Sequence, residues 1–594
     1  MTSPLARPAL SLLALSLLAA CASPASSLPP QSPPTQASSA STRALAVADA
    51  LVDETFAHSP QYGTLLRPPG ARYDFWPDES LTEVARVQKL EDGWLAELRA
   101  MDRASLGDSP AGLAYDVAKE MLEARVQSRV CRDELWPLRP QTGLLPTLGN
   151  VADAQPVGTA DLRAQALARF AQVPAAFEAE RANLREGMRL GYLQADVNVR
   201  QILDQADRFA KGPATASPLY SPATRDGDPE FGKALAALIE TKINPAIVAF
   251  RDFIEKEYLP HARTAIAVAS NPDGAACYLA SLRRLTTLPL TPKEVHESGE
   301  AELSRIEGEM KALSAKSFGG ADIATLRTRF TTTPEYHYKD GQAILAQARA
   351  AIERAKAAVP KAFGLLPSSD VGVEPIPAFQ ERTAAAHYLL AALDGSRPGM
   401  YCVRLYKAEE QSTASGEATA FHETIPGHHL QLAIASTRTD NPRITRFLFN
   451  SGYSEGWALY AERVADELGL YSDDASRFGM LASAAFRAAR LVVDSGIHAF
   501  GWDRERAIAF MMEHTTLPRT QAAQEVDRYI SWPGQATAYM TGYLEIHALR
   551  AEAEKALGAR FDLRAFHDCV LGGGTVPLPV LRARVESWIR KQTG

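Results

Sequence analysis

The chain has 594 residues, 46% of them hydrophobic and 22% charged, with 63 basic against 70 acidic side chains and a formal net charge of −7. That balance suits a globular chain with a large core and excludes a general nucleic-acid binder, which needs a basic face to neutralise phosphates. Five cysteines exclude a disulfide-dense scaffold, and a single long apolar run, at the extreme N-terminus, excludes a polytopic membrane protein.

That run is the first element. Arg7 followed by the apolar stretch Ala9–Leu18 reads as a secretory signal over residues 1–20, too short for a stable membrane-spanning helix. It ends in Leu18-Ala19-Ala20-Cys21, which resembles the lipobox of bacterial lipoproteins, where the cysteine is acylated and becomes the mature N-terminus. An ordinary cleavage site beside a chance cysteine is the alternative. Residues 21–42 are rich in Ser, Pro, Ala and Gln and read as a flexible tether from a lipidated Cys21. Ala22, rather than an aspartate, suits outer-membrane sorting and so a periplasm-facing protein. Cys131, Cys277, Cys402 and Cys569 then remain; they allow three pairings, among which the sequence does not choose.

From residue 43 to 285 apolar positions recur at helical spacing, predicting helices over Leu81–Arg103, Ala111–Val130, Leu162–Leu190, Asp196–Ala210 and Phe231–Tyr258. Thr291-Pro292-Lys293-Glu294 is a capping box with proline at the first helical position, opening a helix through Val295, Leu303, Ile306 and Met310. Val371–Pro377 and Met400–Tyr406 read as short strands, the second after a Pro398-Gly399 turn and offering an edge to an extended peptide. Helical patterning then resumes almost to Gly594. The expected architecture is mostly α, with a small β-sheet inserted before a histidine-rich helix. It has two regions, 43–285 and 286–594, in place of the four domains that length alone suggests.

His422-Glu423-Thr424-Ile425-Pro426-Gly427-His428-His429 is the densest metal-capable cluster in the chain. In the zincin pattern H-E-x-x-H the two histidines lie about 40° apart and roughly 6 Å along one helix, within reach of one ion. Here position 426 is proline, and His428, six residues after His422, would sit about 240° round a regular helix. His429 returns to the right face but about 10.5 Å away. The segment therefore binds metal only if the helix unwinds locally, and Pro426-Gly427 supplies the means through a two-residue bulge. Read alone, it is equally a Pro-Gly helix break flanked by structural histidines. Glu455, 27 residues beyond His428, is the candidate third ligand, placed in the first turn of a helix through Trp457, Leu459, Tyr460, Val464 and Leu468. An acid there also suits the helix dipole. Glu462, two turns on, is a supporting partner or a solvated surface charge.

These residues and several further stretches carry a family resemblance. His422-Glu423-x-x-Pro426-Gly427-His428-His429-Leu430-Gln431 and Glu455-Gly456-Trp457-Ala458-Leu459-Tyr460, with Asp394-Gly395-Ser396-Arg397-Pro398-Gly399, Val493–His498, Pro533–Tyr539 and Val576–Pro579, resemble the bacterial domain-of-unknown-function 885 family. That family is often secreted or lipid-anchored and is similar to the gluzincin metallopeptidases, in which a His-Glu…His motif and a distant glutamate hold zinc. The resemblance implies one zinc ion on His422, His428 and Glu455, Glu423 as general base, and a peptide or small amide as substrate. Tyr539, His498 and Tyr543 are the candidate oxyanion donors, with Tyr539 favoured for its Pro-Gly-Gln-Ala-Thr-Ala-Tyr context. Asp494 and His498, at i and i+4, suit an oriented imidazole in the cleft, and His429 and Gln431 suit supports around the site.

Two other classes compete. Gly452-Tyr453-Ser454-Glu455-Gly456 fits the G-x-S-x-G elbow of serine hydrolases, although the strand–helix alternation of that fold is missing. A non-catalytic lipoprotein that takes up metal or peptide is the second.

Overall fold

The capping box at Thr291 forms as read. The Thr291 hydroxyl accepts the Glu294 N–H and the Glu294 carboxylate accepts the Thr291 N–H, ahead of a helix over Pro292–Ser317. The structure, a computed structural model, describes residues 39–68, 70–376, 381 and 385–593. Cys21, the signal segment and almost all of the tether lie outside the described residues. Helices over Leu81–Arg99, Pro110–Ser128 and Asp196–Ala210 follow the apolar spacing. The helix expected over 162–190 is instead two, Ala160–Phe170 and Val173–Leu190, with Pro174 in the first turn of the second. The stretch Pro229–Tyr258 stays helical but widens to π-turns at Ile239–Ile243 and Ile254–Tyr258; the first precedes Pro245, which has no amide to donate.

Packing divides the chain differently from a split at 285. The larger core joins Ala44, Leu51 and Leu122 from the N-terminal helices to Ile306, Phe421, Trp457 and Val585 from the C-terminal part. The second core, including Phe170, Phe177, Ile202 and Phe250, is built almost wholly from residues 138–258. Residues 40–594 nevertheless form one compact unit. No described helix is long and apolar enough to cross a membrane.

The inserted sheet has three strands, β1 (Val371–Pro375), β2 (His387–Leu389) and β3 (Gly399–Val403), in the order β1-β3-β2. β3 pairs in parallel with β1 and antiparallel with β2. The strand expected to offer an edge is therefore the central one, its backbone groups engaged on both sides, and β2 is the edge that faces the site described below. Of the possible cysteine pairings, Cys131–Cys277 forms, with Cα atoms 4.6 Å apart, while Cys402 and Cys569 are free thiols.

His498 is a structural histidine, which corrects its expected place at the catalytic centre. It is 1% exposed; its Nδ1 accepts the Val268 N–H and its Nε2–H donates to the Tyr529 carbonyl, each at 3.0 Å, so neither nitrogen is left for chemistry. Asp494 does not orient it: the carboxyl accepts the Tyr278 hydroxyl at 2.8 Å and the Gly534 N–H at 3.0 Å, and burial pushes it up to about 7. His567 is held likewise, Nδ1–H donating to Ala362 O and Nε2 accepting from Tyr460, each at 2.9 Å.

Burial lowers both His498 and His567 to about 3. Each must stay neutral when folded, whereas the unfolded chain protonates at the ordinary value of 6.5. Stability is therefore full above that value and falls as pH drops towards 3, by about 2 kcal/mol per histidine at pH 5. Calorimetric melting at pH 7 and pH 5 should show a smaller drop in Tm for His498→Gln and for His567→Gln than for the wild type.

Candidate metal centre

The motif is two helices rather than one bulged helix. The first, Gly416–Glu423, ends just after His422, and the second, His428–Thr437, begins on the other histidine. Between them the chain doubles back: the Gly427 N–H reaches the Phe421 carbonyl at 3.0 Å, and the Ile425–Pro426 peptide is cis. A Cβ on Gly427 would lie 1.9 Å from the His422 carbonyl oxygen, so no other residue fits this turn. The Trp457 indole N–H donates to the Pro426 carbonyl at 3.0 Å and ties the turn to the next helix. The two imidazoles end up with centroids 4.9 Å apart and planes 88° apart.

Glu455 rides on the helix Ser451–Glu467, whose Asn450 cap accepts the Tyr453 N–H at 2.9 Å. It sits in the second turn rather than the first, so the helix dipole does not explain it. Its Oε2 lies 3.6 Å from His422 Nε2 and 3.4 Å from His428 Nε2. Two ligands at about 2.0–2.1 Å from a tetrahedral zinc stand roughly 3.4 Å apart, whereas a charged hydrogen bond closes to about 2.8 Å. The spacing thus fits a shared cation better than direct pairing. Glu462, 1% exposed and not solvated, binds His422 Nδ1 at 2.8 Å and leaves Nε2 turned towards Glu455. The charges agree. Burial works against a charged His422, yet the carboxylates of Glu455 and Glu462 outweigh it and hold the ring up at about 9. Burial would raise Glu455, but His422 and His428 keep it far below the usual carboxylate range. Two histidines among the carboxylates of Glu423, Glu455 and Glu462 make a site short of positive charge.

Glu423 is half-buried, and its Oε2 accepts the Tyr388 N–H of β2 at 2.8 Å. Tyr539, half-buried near the start of the helix Ala538–Leu557, is raised by burial and by the charge of Glu455, and its helix packs across the one that carries Glu455. Glycines make that approach possible: a Cβ on Gly456 would lie 2.4 Å from the Gly542 carbonyl carbon, and one on Gly542 would lie 1.8 Å from Gly452 O. The G-x-S-x-G pattern is therefore a helix crossing and not a nucleophile elbow. Ser454 is 0% exposed inside a helix, and no strand precedes it. Tyr543, one turn beyond Tyr539, is engaged elsewhere, stacking on His547 at 5.8 Å and facing Arg463 and Arg305. His429 braces the sheet through Tyr388 Oη at 3.0 Å and Ser369 O at 2.9 Å, and Gln431 donates to Thr575 Oγ1 at 3.0 Å.

Tyr388 and Arg490 lie beyond the motif residues. Arg490 stands 4.6 Å above the Tyr539 ring, and its one visible signal is a charge inside the apolar run Ala488-Ala489-Arg490-Leu491-Val492. Glu54, His58 and Glu83 also cluster, but Arg86 bonds both of these acids.

These features define a mostly helical protein with a His₂Glu cluster at a helix break. Residues 60–585 match the family described as bacterial protein of unknown function (DUF885), and the chain belongs to that family. No curated protein matches it. Its fold is similar to a crystal structure described as a "putative lipoprotein" from Colwellia psychrerythraea, with a TM-score of 0.86 and 24% identity over 93% of this chain and 100% of that one. A "putative lipoprotein of unknown function" from Shewanella oneidensis matches with a TM-score of 0.67 and 19% identity, over 91% of this chain and 99% of that one.

Elemental analysis of soluble protein beginning near residue 40 should find close to one zinc per chain. His422→Ala and Glu455→Gln should abolish it, and Glu462→Gln should weaken affinity about 10–100-fold in chelator competition.

Proposed function

We propose that the protein is a zinc metallopeptidase, anchored through a lipidated Cys21 outside the cytoplasm. The convergence of His422, His428 and Glu455 beside Glu423 carries this reading. A zinc ion held by these three ligands would lower the pKa of a water and polarise the scissile carbonyl. The chain's own groups do the rest. Glu462 fixes the His422 tautomer so that Nε2 offers its lone pair. The Tyr388 N–H occupies Oε2 of Glu423, so Oε1 is the atom that takes the water proton and later delivers it to the leaving amine. The Tyr539 hydroxyl, kept protonated by burial and the field of Glu455, donates to the carbonyl oxygen as negative charge develops there. Water is added across the C–N bond, giving an acid and an amine.

Three observations support the location. Leu18-Ala19-Ala20-Cys21 resembles a lipobox, both similar structures are described as putative lipoproteins, and a Cys131–Cys277 bridge suits an oxidising compartment. The membrane partner is the N-terminal lipid alone, with the outer membrane's periplasmic face favoured.

Glu423→Gln should keep its zinc and lose peptide hydrolysis about 10²–10⁴-fold, while Tyr539→Phe should lower kcat about 10²-fold with little change in KM. Undiminished turnover by Glu423→Gln protein rejects the mechanism. Stoichiometric zinc with no turnover of a broad peptide library would leave a metal-binding lipoprotein.

A further inference from the structure

The helix Asp474–Ala499 carries a buried cation that the chemistry above does not use. Arg490 is 6% exposed, donating through Nε to the Tyr529 hydroxyl at 3.2 Å and through Nη2 to Glu525 Oε2 at 3.0 Å. Its Nη1 is buried and has no hydrogen-bond partner among the described residues. Arg528 donates to the same Glu525 oxygen at 3.0 Å and, through Nη1, to Gln535. Two guanidinium groups thus share one carboxylate, and no other ion pair to either occurs among the described residues. A buried charge without a counter-ion costs several kcal/mol, so this cluster is short of an anion.

Its place says which anion. The Tyr539 ring packs 4.6 Å from the Arg490 guanidinium, and the helix that carries Tyr539 crosses the helix that carries Glu455 at Gly456 and Gly542, so the unpaired cation lies against a ring at the border of the His422–His428–Glu455 cluster. Phe486 covers Arg490 at 4.1 Å and, like Tyr539, is only half-buried, so the guanidinium lies under rings that themselves reach solvent. We propose that Arg490, backed by Arg528, receives the free C-terminal carboxylate of the substrate while the adjoining peptide bond lies at the His422–His428–Glu455 cluster. This rests on the peptidase reading and narrows it to a carboxypeptidase or dipeptidase. Hydrolysis breaks the last C–N bond, forms a C–O bond to water, and releases one amino acid whose nitrogen carries the proton delivered by Glu423. A charge-assisted hydrogen bond to a carboxylate oxygen suits Nη1, and a neutral amide or ester terminus would leave the cation without a counter-charge.

Paired substrates test it without a variant. A blocked tripeptide with a free C-terminus should be cleaved with kcat/KM about 100-fold or more above its C-terminal amide. Arg490→Gln should remove that preference by raising KM for the free acid far more than for the amide, and Arg490→Lys should restore part of it. Calorimetry on metal-stripped full-length protein adds a readout free of turnover: L-leucine should bind more tightly than L-leucinamide, and Arg490→Gln should erase the difference. Equal cleavage of acid and amide, or equal binding of leucine and leucinamide by the wild type, overturns the proposal. Discrimination in binding without cleavage of any peptide upholds the carboxylate site and removes the peptidase reading instead.

Discussion

Everything at the centre depends on one missing side chain. At Gly427 the backbone folds so tightly against the end of the preceding helix that a methyl group would stand 1.9 Å from the His422 carbonyl oxygen. Only that approach brings a histidine six residues further on back to the first. The turn is also tied to Glu455, because the Trp457 indole that binds the Pro426 carbonyl is two residues beyond it on the same helix. Trp457 is 0% exposed and packs against Phe363 and His567, so the larger core itself holds the turn and the glutamate in register. A second close backbone contact, at Gly452, Gly456 and Gly542, sets the helix bearing Tyr539 against the helix bearing Glu455.

The interior is electrostatically polarised over a short distance. Glu423, Glu455 and Glu462 gather in one group around His422, and Arg490 and Arg528, with Glu525 alone between them, form another. Ions removed from water cost free energy unless each finds a partner, so neither group is explained by stability. Tyr539 stacks on Arg490 and feels the charge of Glu455. On the proposed reading, such a field would orient a bound peptide with its negative end towards the arginines.

Much of this was legible in the residues. The capping box at Thr291 and the helix Asp196–Ala210 follow from local chemistry that tertiary packing does not override. Residue type and separation offered the grouping of His422, His428 and Glu455 and the family resemblance selected it, but neither gave the way the chain achieves it: a bulge and a full break between two helices satisfy the same spacing. Burial decides what periodicity cannot. Asp494 and His498 share a helix face as expected, yet their partners come from Val268, Tyr278, Tyr529 and Gly534, segments distant in sequence. Glu462 reads as a surface charge until the fold buries it beside His422. Strand order is equally non-local, and so β3 is central although its sequence suits an edge.

The bridge between Cys131 and Cys277 gives the molecule a neck. The second core, residues 138–258, lies between these cysteines in the chain, and its polypeptide leaves and rejoins the main body where the two Cα atoms are 4.6 Å apart. The insert is therefore a closed covalent loop whose two ends almost coincide. A protease that nicks it once would leave both fragments joined, and the helices that carry His422, His428 and Glu455 would keep their frame.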